Sequence, residues 1–295
     1  MSFPTTTQDL ADSLPIMVAA ARSVREYAGV MPQTAEVHTL DANSGQDWKE
    51  VTLAQLTAQA VQETTDLNNP QAYSDTNQTI EPTLIGLPTL VSLRATRKIS
   101  QKTVAEMGVL AQNGMTRKND QDGIAVMDGF SNSAPGAGSA LTTSILRHMV
   151  ANIRGNTTEP SPDGAPVYIV LHTFQIADLE DELLTSAGDN YELTSGLSTQ
   201  VFQNNVIGRI ANATVLRDDN ISIDTDVDAK GGVFSRAAML LIRGTSPYVL
   251  TEERPGLGGG SIAIFHYDEY AWGERTSQGT SVWGREVYSD ATAPA

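Results

Sequence analysis

A chain of 295 residues with 40% hydrophobic content and a mean hydropathy of -0.21 has enough apolar surface for a substantial core, which sets intrinsic disorder aside. Its formal charge of -16 repels phosphate backbones, so sequence-specific DNA binding is not expected. The absence of cysteine removes disulfides, thiolate zinc sites and cysteine nucleophiles together.

The first stretch, "MSFPTTTQDLADSLP", has neither the basic nor the apolar region of a signal sequence, and no segment reaches the roughly 18 apolar residues of a membrane span. A soluble, unexported protein with no membrane contact is expected. After this polar arm, Ile16, Ala20, Val24 and Tyr27 share one face of a short amphipathic helix capped by Asp12 or Ser13. Between Thr34 and Ile99 the composition shifts. Strand-like stretches flank an Asn-Ser-Gly turn, "TLAQLTAQAVQETTDL" predicts a helix, and "PTLIGLPTLVSLRAT" predicts a strand interrupted by Pro88. So long an excursion with so few large apolar residues needs a neighbour to lie against.

From Ser100, Val104, Met107 and Ala111 recur at helical spacing behind a Thr103/Glu106 capping-box pattern, with Ile124 and Met127 in a second stretch. Gly108, Gly114 and Gly123 weaken that helix, and "SNSAPGAGSA" reads as a flexible connector. The cleanest helix is "LTTSILRHMVANIRG", with Leu141, Ile145, Met149 and Ile153 at successive i+4 positions and Gly155 just past its end. Next, "PVYIVLH" predicts a strand running into a helix capped by Thr173. "FSRAAMLLIRGTSPYVLTEERP" and "GGGSIAIFHYDEYAWGERT" predict long strands joined by a turn. The class is α+β.

Motifs for chemistry fail on inspection. "GLGGGS" at 256–261 lacks the strand before and helix after that a phosphate loop requires, so it reads as a hairpin turn. The run Asp218, Asp219, Asp224, Asp226, Asp228 suggests calcium, but an EF-hand loop begun at Asp224 puts Ala229 at the turn glycine and Ser235 at the bidentate glutamate. A solvated acidic loop is the expectation. The histidines His38, His148, His172 and His266 are scattered, and no GxSxG elbow occurs. Carboxylates adjacent in sequence, such as Glu180/Asp181, do not converge on a substrate. The expectation is therefore no catalytic, cofactor-binding or metal residues and no cofactor.

One feature of charge remains. Residues 94–118 carry six of the nineteen basic residues, Arg94, Arg97, Lys98, Lys102, Arg117 and Lys118, against one acid, Glu106, whereas residues 1–93 carry three basic and eleven acidic residues. The belt lacks the interleaved aromatics of a nucleic-acid surface. It reads as a solvated surface or a subunit contact, with Arg94, Arg97, Lys98 and Lys102 as candidate interface residues facing an acidic neighbour.

The order of segments resembles the tailed-bacteriophage major capsid protein family, whose fold is shared by encapsulin shells. It runs from the arm and short helix through the weakly cored excursion, the helix from Ser100, the Gly/Ser connector, helix 139–154, "VYIVLHTFQIADLEDELL" and "IGRIANATVLRDDN" to the closing strands. The resemblance implies an amino-terminal arm at 1–33, an extended loop at 34–99, and a peripheral domain with a spine helix at 100–138 and 232–285. An axial domain at 139–231 and a tail at 286–295 complete it. Gly108 and Gly114 predict that the spine helix is short or kinked. The family further implies self-assembly into hexamers and pentamers, separate scaffold and portal proteins, a decoration protein as a further candidate partner, and enclosure of double-stranded DNA without sequence-specific binding. It would form a virion capsid assembled in the host cytoplasm. An encapsulin compartment, and from another class a hydrolase or calcium-dependent surface protein, are the alternatives.

Overall fold

The computed structural model describes residues 29–41, 47–58, 60–61, 70–98, 101–187, 206–257, 259–277 and 280–293, with the side chains of 98, 101–106, 183–187, 206–207 and 280 left aside. The helix expected around Ile16–Tyr27 and the Asn-Ser-Gly turn lie outside these residues. In chain order the elements are α1 (Met31–Thr34), β1 (Glu36–Thr39), β2 (Trp48–Leu53), β3 (Asp75–Ile80), β4 (Thr83–Ser92), α2 (Leu93–Lys98), α3 (Gln101–Met127), β5 (Ala134–Pro135) and α4 (Thr143–Arg154). There follow β6 (Val167–Leu171), α5 (Thr173–Ala187), β7 (Val206–Ile210), β8 (Ala213–Arg217), β9 (Asp228–Ser235), β10 (Met239–Arg243), β11 (Tyr248–Arg254), β12 (Ser261–Glu274), β13 (Thr276–Ser277), β14 (Thr280–Ser281) and β15 (Gly284–Asp290). The architecture is the α+β one expected.

Two sheets organise these elements. The first has the order β5-β15-β9-β6-β8-β7, and its central strands β9 and β6 are buried along nearly their whole length, β6 as a continuous apolar run. In β9 two successive glycines show why. A Cβ at Gly231 would fall 2.8 Å from Leu171 and 3.2 Å from Gln175 of α5, and one at Gly232 would fall 2.5 Å from Met127 of α3. Helices thus press on this strand from opposite sides. Helix α4 buries Leu146, Met149, Val150 and Ile153, begins where the Thr142 hydroxyl accepts the Ile145 amide, and ends where Gly155 N–H donates to the Ala151 carbonyl at 2.8 Å. The start of α5 differs from expectation: Thr173 is its first residue, its hydroxyl and amide are held by Asp219, and His172 Nδ1 accepts the Phe174 amide at 3.2 Å.

The second sheet has the order β1-β10-β12-β11, with β4 paired along β12 from Ser261 to Tyr270. Its β11–β12 hairpin pairs Arg254 with Ser261, so "GLGGGS" is the turn anticipated from sequence. Pro88 does not interrupt β4. The strand runs through it opposite Phe265, and β4 pairs only with β12 among the described residues, an edge position where a missing N–H is tolerated. The helix expected over 52–67 is not formed in its described part: Thr52 and Leu53 close β2, and residues 54–58 have no regular structure.

Helix α3 is unbroken over 27 residues, about 40 Å, so the expectation of a short or kinked helix is corrected. The glycines have separate reasons. Gly108 faces open space, whereas a Cβ at Gly123 would fall 2.9 Å from Met31 and 3.1 Å from the Trp272 ring, so glycine there lets β12 and α1 approach. The connector after α3 is also tied down. β5 pairs with β15, Gly136 N–H donates to the Tyr288 carbonyl, and Gly138 N–H donates to Asp228 Oδ1 at 2.8 Å. One apolar core runs through both sheets by way of Met127, Phe130, Phe234, Met239, Leu241 and Tyr270.

The acidic run is solvated only in its middle, which corrects the expectation for Asp218 and Asp228 alone. Asp218 and Asp228 are buried, and Asp224 accepts the amides of Asp226 and Asp228 and the Tyr288 hydroxyl. Asp218, Asp224 and Asp228 serve as internal acceptors for loop backbone, while Asp224 and Asp226 lie in solvent as expected.

The glycine contrast is testable by chemical denaturation of the unassembled chain. Gly108→Ala should raise stability by about 0.5–1 kcal/mol, because it removes backbone freedom with no clash. Gly123→Leu should lower it by about 1–3 kcal/mol through overpacking against Met31 and Trp272. Equal effects at the two positions would show that α3 is not closely packed at Gly123.

Candidate assembly interface

Helix α2 carries the first part of the basic belt. The Ser92 hydroxyl accepts the Ala95 amide at 3.1 Å and so caps it, Ala95 is fully buried, and Leu93 N–H donates to the Gly260 carbonyl at 2.9 Å, docking α2 on the β11–β12 turn. With that side fixed inward, Arg94 and Arg97 are both exposed, three residues apart on one face. Among the described residues neither has an ion-pair partner within the chain. The side chains of Lys98 and Lys102 lie outside the description, as do Thr103 and Glu106 of the capping-box pattern. Lys118 differs from the arginines because it pairs with Asp122 one turn on. The belt thus divides into a satisfied end on α3 and an unsatisfied end on α2.

Strands β2 and β3 form a two-stranded antiparallel ribbon with Trp48 opposite Ile80 and Leu53 opposite Asp75. Beyond it, Ala54 N–H donates to the Ser74 carbonyl, and the Gln71 side chain bonds the Thr57 backbone in both directions. Apolar residues on this ribbon are left in solvent: Val51 is 57% exposed, Leu53 64% and Tyr73 78%. A lone two-stranded ribbon is marginally stable at best. This one exposes the apolar surface that a third layer would cover.

Its base is anchored by polar contacts that sequence reading missed. Arg275 donates through Nε to Glu50 at 2.8 Å and through Nη1 to Glu36 at 2.7 Å and to the Ala237 carbonyl at 2.9 Å. Partial burial opposes these charges, but the ion pairs outweigh it: Glu36 is held below its usual range and Arg275 above its own. Gln78 bridges to the backbone of Glu274 and Thr276. Ile80 packs with Leu240 and Ile242 in a small separate cluster, and Gly273 makes room for it, since a Cβ there would fall 2.4 Å from Ile80 Cδ1. No local pattern announces these partners, because Arg275 lies more than two hundred residues from both glutamates.

The second sheet is covered by α3 on one face and by Ile80 at the base of the other. Tyr270 and Trp272 donate to Asp122 and Asn119 of α3 at 2.9 Å each, which fixes the covered face of β12. The alternate residues Phe265 and Tyr267 point the other way. Tyr267 stacks on Tyr248 at 5.2 Å, Phe265 lies 6.2 Å from Tyr267, and Arg254 sits 5.8 Å above Phe265. Tyr248, Val249 and Leu250 of β11 are exposed, so the distal end of this sheet is apolar and uncovered.

Clefts are poor in chemistry by comparison. One of about 460 Å³ is lined by Arg154, the 160–167 loop, Arg209, Asn212 and Thr214, and Arg154 is engaged by the carbonyls of Ala211 and Asn212. It holds no paired nucleophile and base. Among the described residues no three His, Asp or Glu side chains gather as metal ligands, and no helix is long and apolar enough to cross a membrane.

No protein-family model matches the chain, and no curated protein sequence does either. Solved structures do. The capsid of the cyanophage P-SCSP1u matches with a TM-score of 0.69 at 10% identity, covering 95% of this chain and 93% of that one. The head of Helicobacter pylori bacteriophage KHP40 matches with a TM-score of 0.68 at 15% identity and 99% coverage of both chains. Mycobacterium phage Che8 matches with a TM-score of 0.69 at 12% identity, covering 92% of this chain and 96% of that one. The chain has the fold of phage capsid subunits along nearly its whole length.

The anchor makes a prediction about the ribbon. Arg275→Met leaves Glu36 and Glu50 without their cation and should destabilise the fold by about 1–3 kcal/mol. Backbone amides of Trp48–Leu53 should then exchange faster while those of Val167–Leu171 change little, read by hydrogen-exchange mass spectrometry. Unchanged ribbon protection would place the anchor elsewhere.

Proposed function

We propose that this chain is the major structural subunit of an icosahedral capsid and that its role is assembly, not catalysis. The observation that carries the reading is a ribbon whose apolar residues Val51 and Leu53 stay exposed among the described residues, on a fold matched end to end by phage capsid subunits. A shell subunit needs such surfaces, because each contact must be repeated by every copy until the assembly closes.

On this reading residues 34–99 are the extended loop and α3 is the spine helix. The sheet β1-β10-β12-β11 with β4 forms the peripheral domain. The six-stranded sheet with α4 and α5 forms the axial domain. Because β9 and β15 pair with β6 through the six-stranded sheet, we assign 228–235 and 284–290 to the axial side, which narrows the 232–285 block inferred from sequence. Self-association gives pentamers and hexamers around DNA, with scaffold and portal as separate chains, and the product is a virion capsid assembled in the host cytoplasm. The charge of -16 suits a wall that does not adhere to the genome it encloses.

Arg94, Arg97, Lys98 and Lys102 are the proposed subunit contact. Arg94 and Arg97 support it by their exposure and by having no ion-pair partner among the described residues, and an acidic surface of an adjacent copy is the matching partner. Exposed pairs contribute about 0–1 kcal/mol each, so their effect is on register and partner choice more than on affinity.

Negative-stain electron microscopy and light scattering of the purified protein, with and without its scaffold, test the function. Closed shells or rings of pentamers and hexamers are expected; a persistent monomer near 31.5 kDa with scaffold present would overturn it. Copurifying DNA separates a viral shell from a compartment loaded with protein cargo. The triple reversal R94E/R97E/K98E should abolish or misdirect assembly while leaving far-UV circular dichroism and the monomer melting temperature unchanged. Intact particles from that variant would remove the basic belt from the interface.

A further inference from the structure

A junction of buried acids lies where the described chain begins. Gly29 rests against Asp120, so closely that a Cβ would fall 2.1 Å from the carboxyl carbon. The next two amides point into the same place: Val30 N–H donates to Asp218 Oδ2 at 3.1 Å, and Met31 N–H to Asp120 Oδ1 at 3.0 Å. Asn220 bridges both acids, its backbone N–H donating to Asp218 Oδ1 at 3.0 Å and its Nδ2 to Asp120 Oδ2 at 2.9 Å. Both aspartates are 0% exposed, and among the described residues neither has an ion-pair partner. Asn220 holds the two carboxyls side by side, an arrangement favoured when they share one proton. Burial, and then the charge of Asp120, push Asp218 up to about 7 against the opposing N–H donors of Asn220 and Val30.

The surrounding charges do not neutralise the pair. On α3, Asp122 takes Lys118 and the Tyr270 hydroxyl, and Arg117, one turn before Asp120, is exposed with a contact of its own. In the 217–220 turn, Asp219 is paired with Arg217 at 3.4 Å and takes the Thr173 amide. At the start of α5, His172 is kept below its usual range by burial, and α1 contributes no ionisable group. From β12 the nearest ionisable groups are Tyr270 and Asp268, both raised chiefly by burial.

We propose that Asp120, Asp218 and Asn220 form a proton-held latch, which clamps the chain at Gly29–Met31 between α3 and the 217–220 turn and releases it as the pH rises. With one proton shared, an O–H···O⁻ bond joins the acids and four N–H donors fill the remaining acceptor sites. Loss of that proton to solvent leaves two negative charges side by side without a cation, and the repulsion drives the helix and the turn apart. The sign follows from linkage. The closed latch keeps its proton up to about 7, whereas the opened acid has the ordinary value of 3.8, so closure is fully favoured below about 4 and is lost as pH rises to about 7, with a plateau above. Residues 1–28 precede this point in sequence, so the latch governs how they are joined to the body. The inference concerns the folded chain alone and stands whether or not it builds a shell.

Hydrogen exchange of the unassembled chain between about pH 5 and pH 8, corrected for intrinsic rates, tests it. The Val30 and Met31 amides should open up to about tenfold more per pH unit until about pH 7 and then level off. The Ala95 amide, bound to the Ser92 hydroxyl, should stay constant. In D218N the slope should vanish, since the asparagine supplies an N–H where the shared proton lies. Flat protection at Val30 and Met31 in the wild type, the same slope in D218N, or parallel movement of Ala95 would each overturn the latch. Should D218N not fold, D120N replaces it, and if both fail the wild-type slope decides alone.

Discussion

One helix has to satisfy two sheets at once, and the rest of the chain is placed by how it does so. Over its described side chains α3 is too polar to rest on apolar contact alone: it buries Ala111, Met115, Ile124 and Met127, but Asn119 and Asp120 are buried beside them. Three polar positions close together in sequence reach different partners. Asn119 takes the Trp272 indole, Asp120 the Met31 amide and Asp122 the Tyr270 hydroxyl. Each such bond is worth roughly 1 kcal/mol net. Their larger effect is geometric, because a buried partner left unbonded would be penalised more than the bond gains, and so the helix can take only one rotation and one height against β12. Two turns on, Met127 fills the gap left by Gly232 in the other sheet, so the position of the first sheet is transmitted to the second through a rigid rod.

The body and the ribbon follow opposite rules. In the body, glycines at 231, 232, 273 and 284 each admit a neighbouring side chain that a Cβ would displace, which leaves little freedom for the sheets to slide. In the ribbon, exposed Val51, Leu53 and Tyr73 hold no such contacts, and order comes from backbone pairing plus the Arg275 fork at the base. The arginine is suited to that place. Its planar fork meets two carboxylates and a carbonyl together, and with the small cluster of Ile80, Leu240 and Ile242 it fixes the direction in which the ribbon leaves the body.

The sequence made legible whatever depends on residues near one another. Gly155 closes α4, the apolar run 167–171 marks a buried strand, and the glycines at 256–260 mark a hairpin. The weak core of 34–99 was readable from composition, and the layout of segments pointed to the capsid fold. What escaped depends on partners far along the chain. Gly108, Gly114 and Gly123 look alike in a helix, and only Trp272 and Met31 show that Gly123 is a packing site. Pro88 breaks a strand by local rules but is harmless at an edge, and edge status is a property of the sheet. The acidic run looked solvated because the donors that bury Asp218 include Val30, 188 residues away. The belt was visible as charge, but only the fold separates Lys118, already paired, from Arg94 and Arg97.

For the proposed shell, this division between body and ribbon has a consequence. A closed icosahedral shell must place one chemical subunit in environments that are similar but not identical. The body cannot supply that tolerance, because close-packed interiors switch between discrete arrangements and do not deform smoothly. A two-stranded ribbon held by a small apolar cluster at its base alone can bend at small expense beyond it, and solvated arginines on α2 can swing to meet a partner over several ångströms, since long side chains on a surface are not locked by packing. In the proposed shell adaptation would thereby fall to the ribbon and to α2, while the rigid helix with its two sheets would repeat unchanged at every position. The surfaces left unfinished in the single chain are thus the ones that a variable set of neighbours can complete.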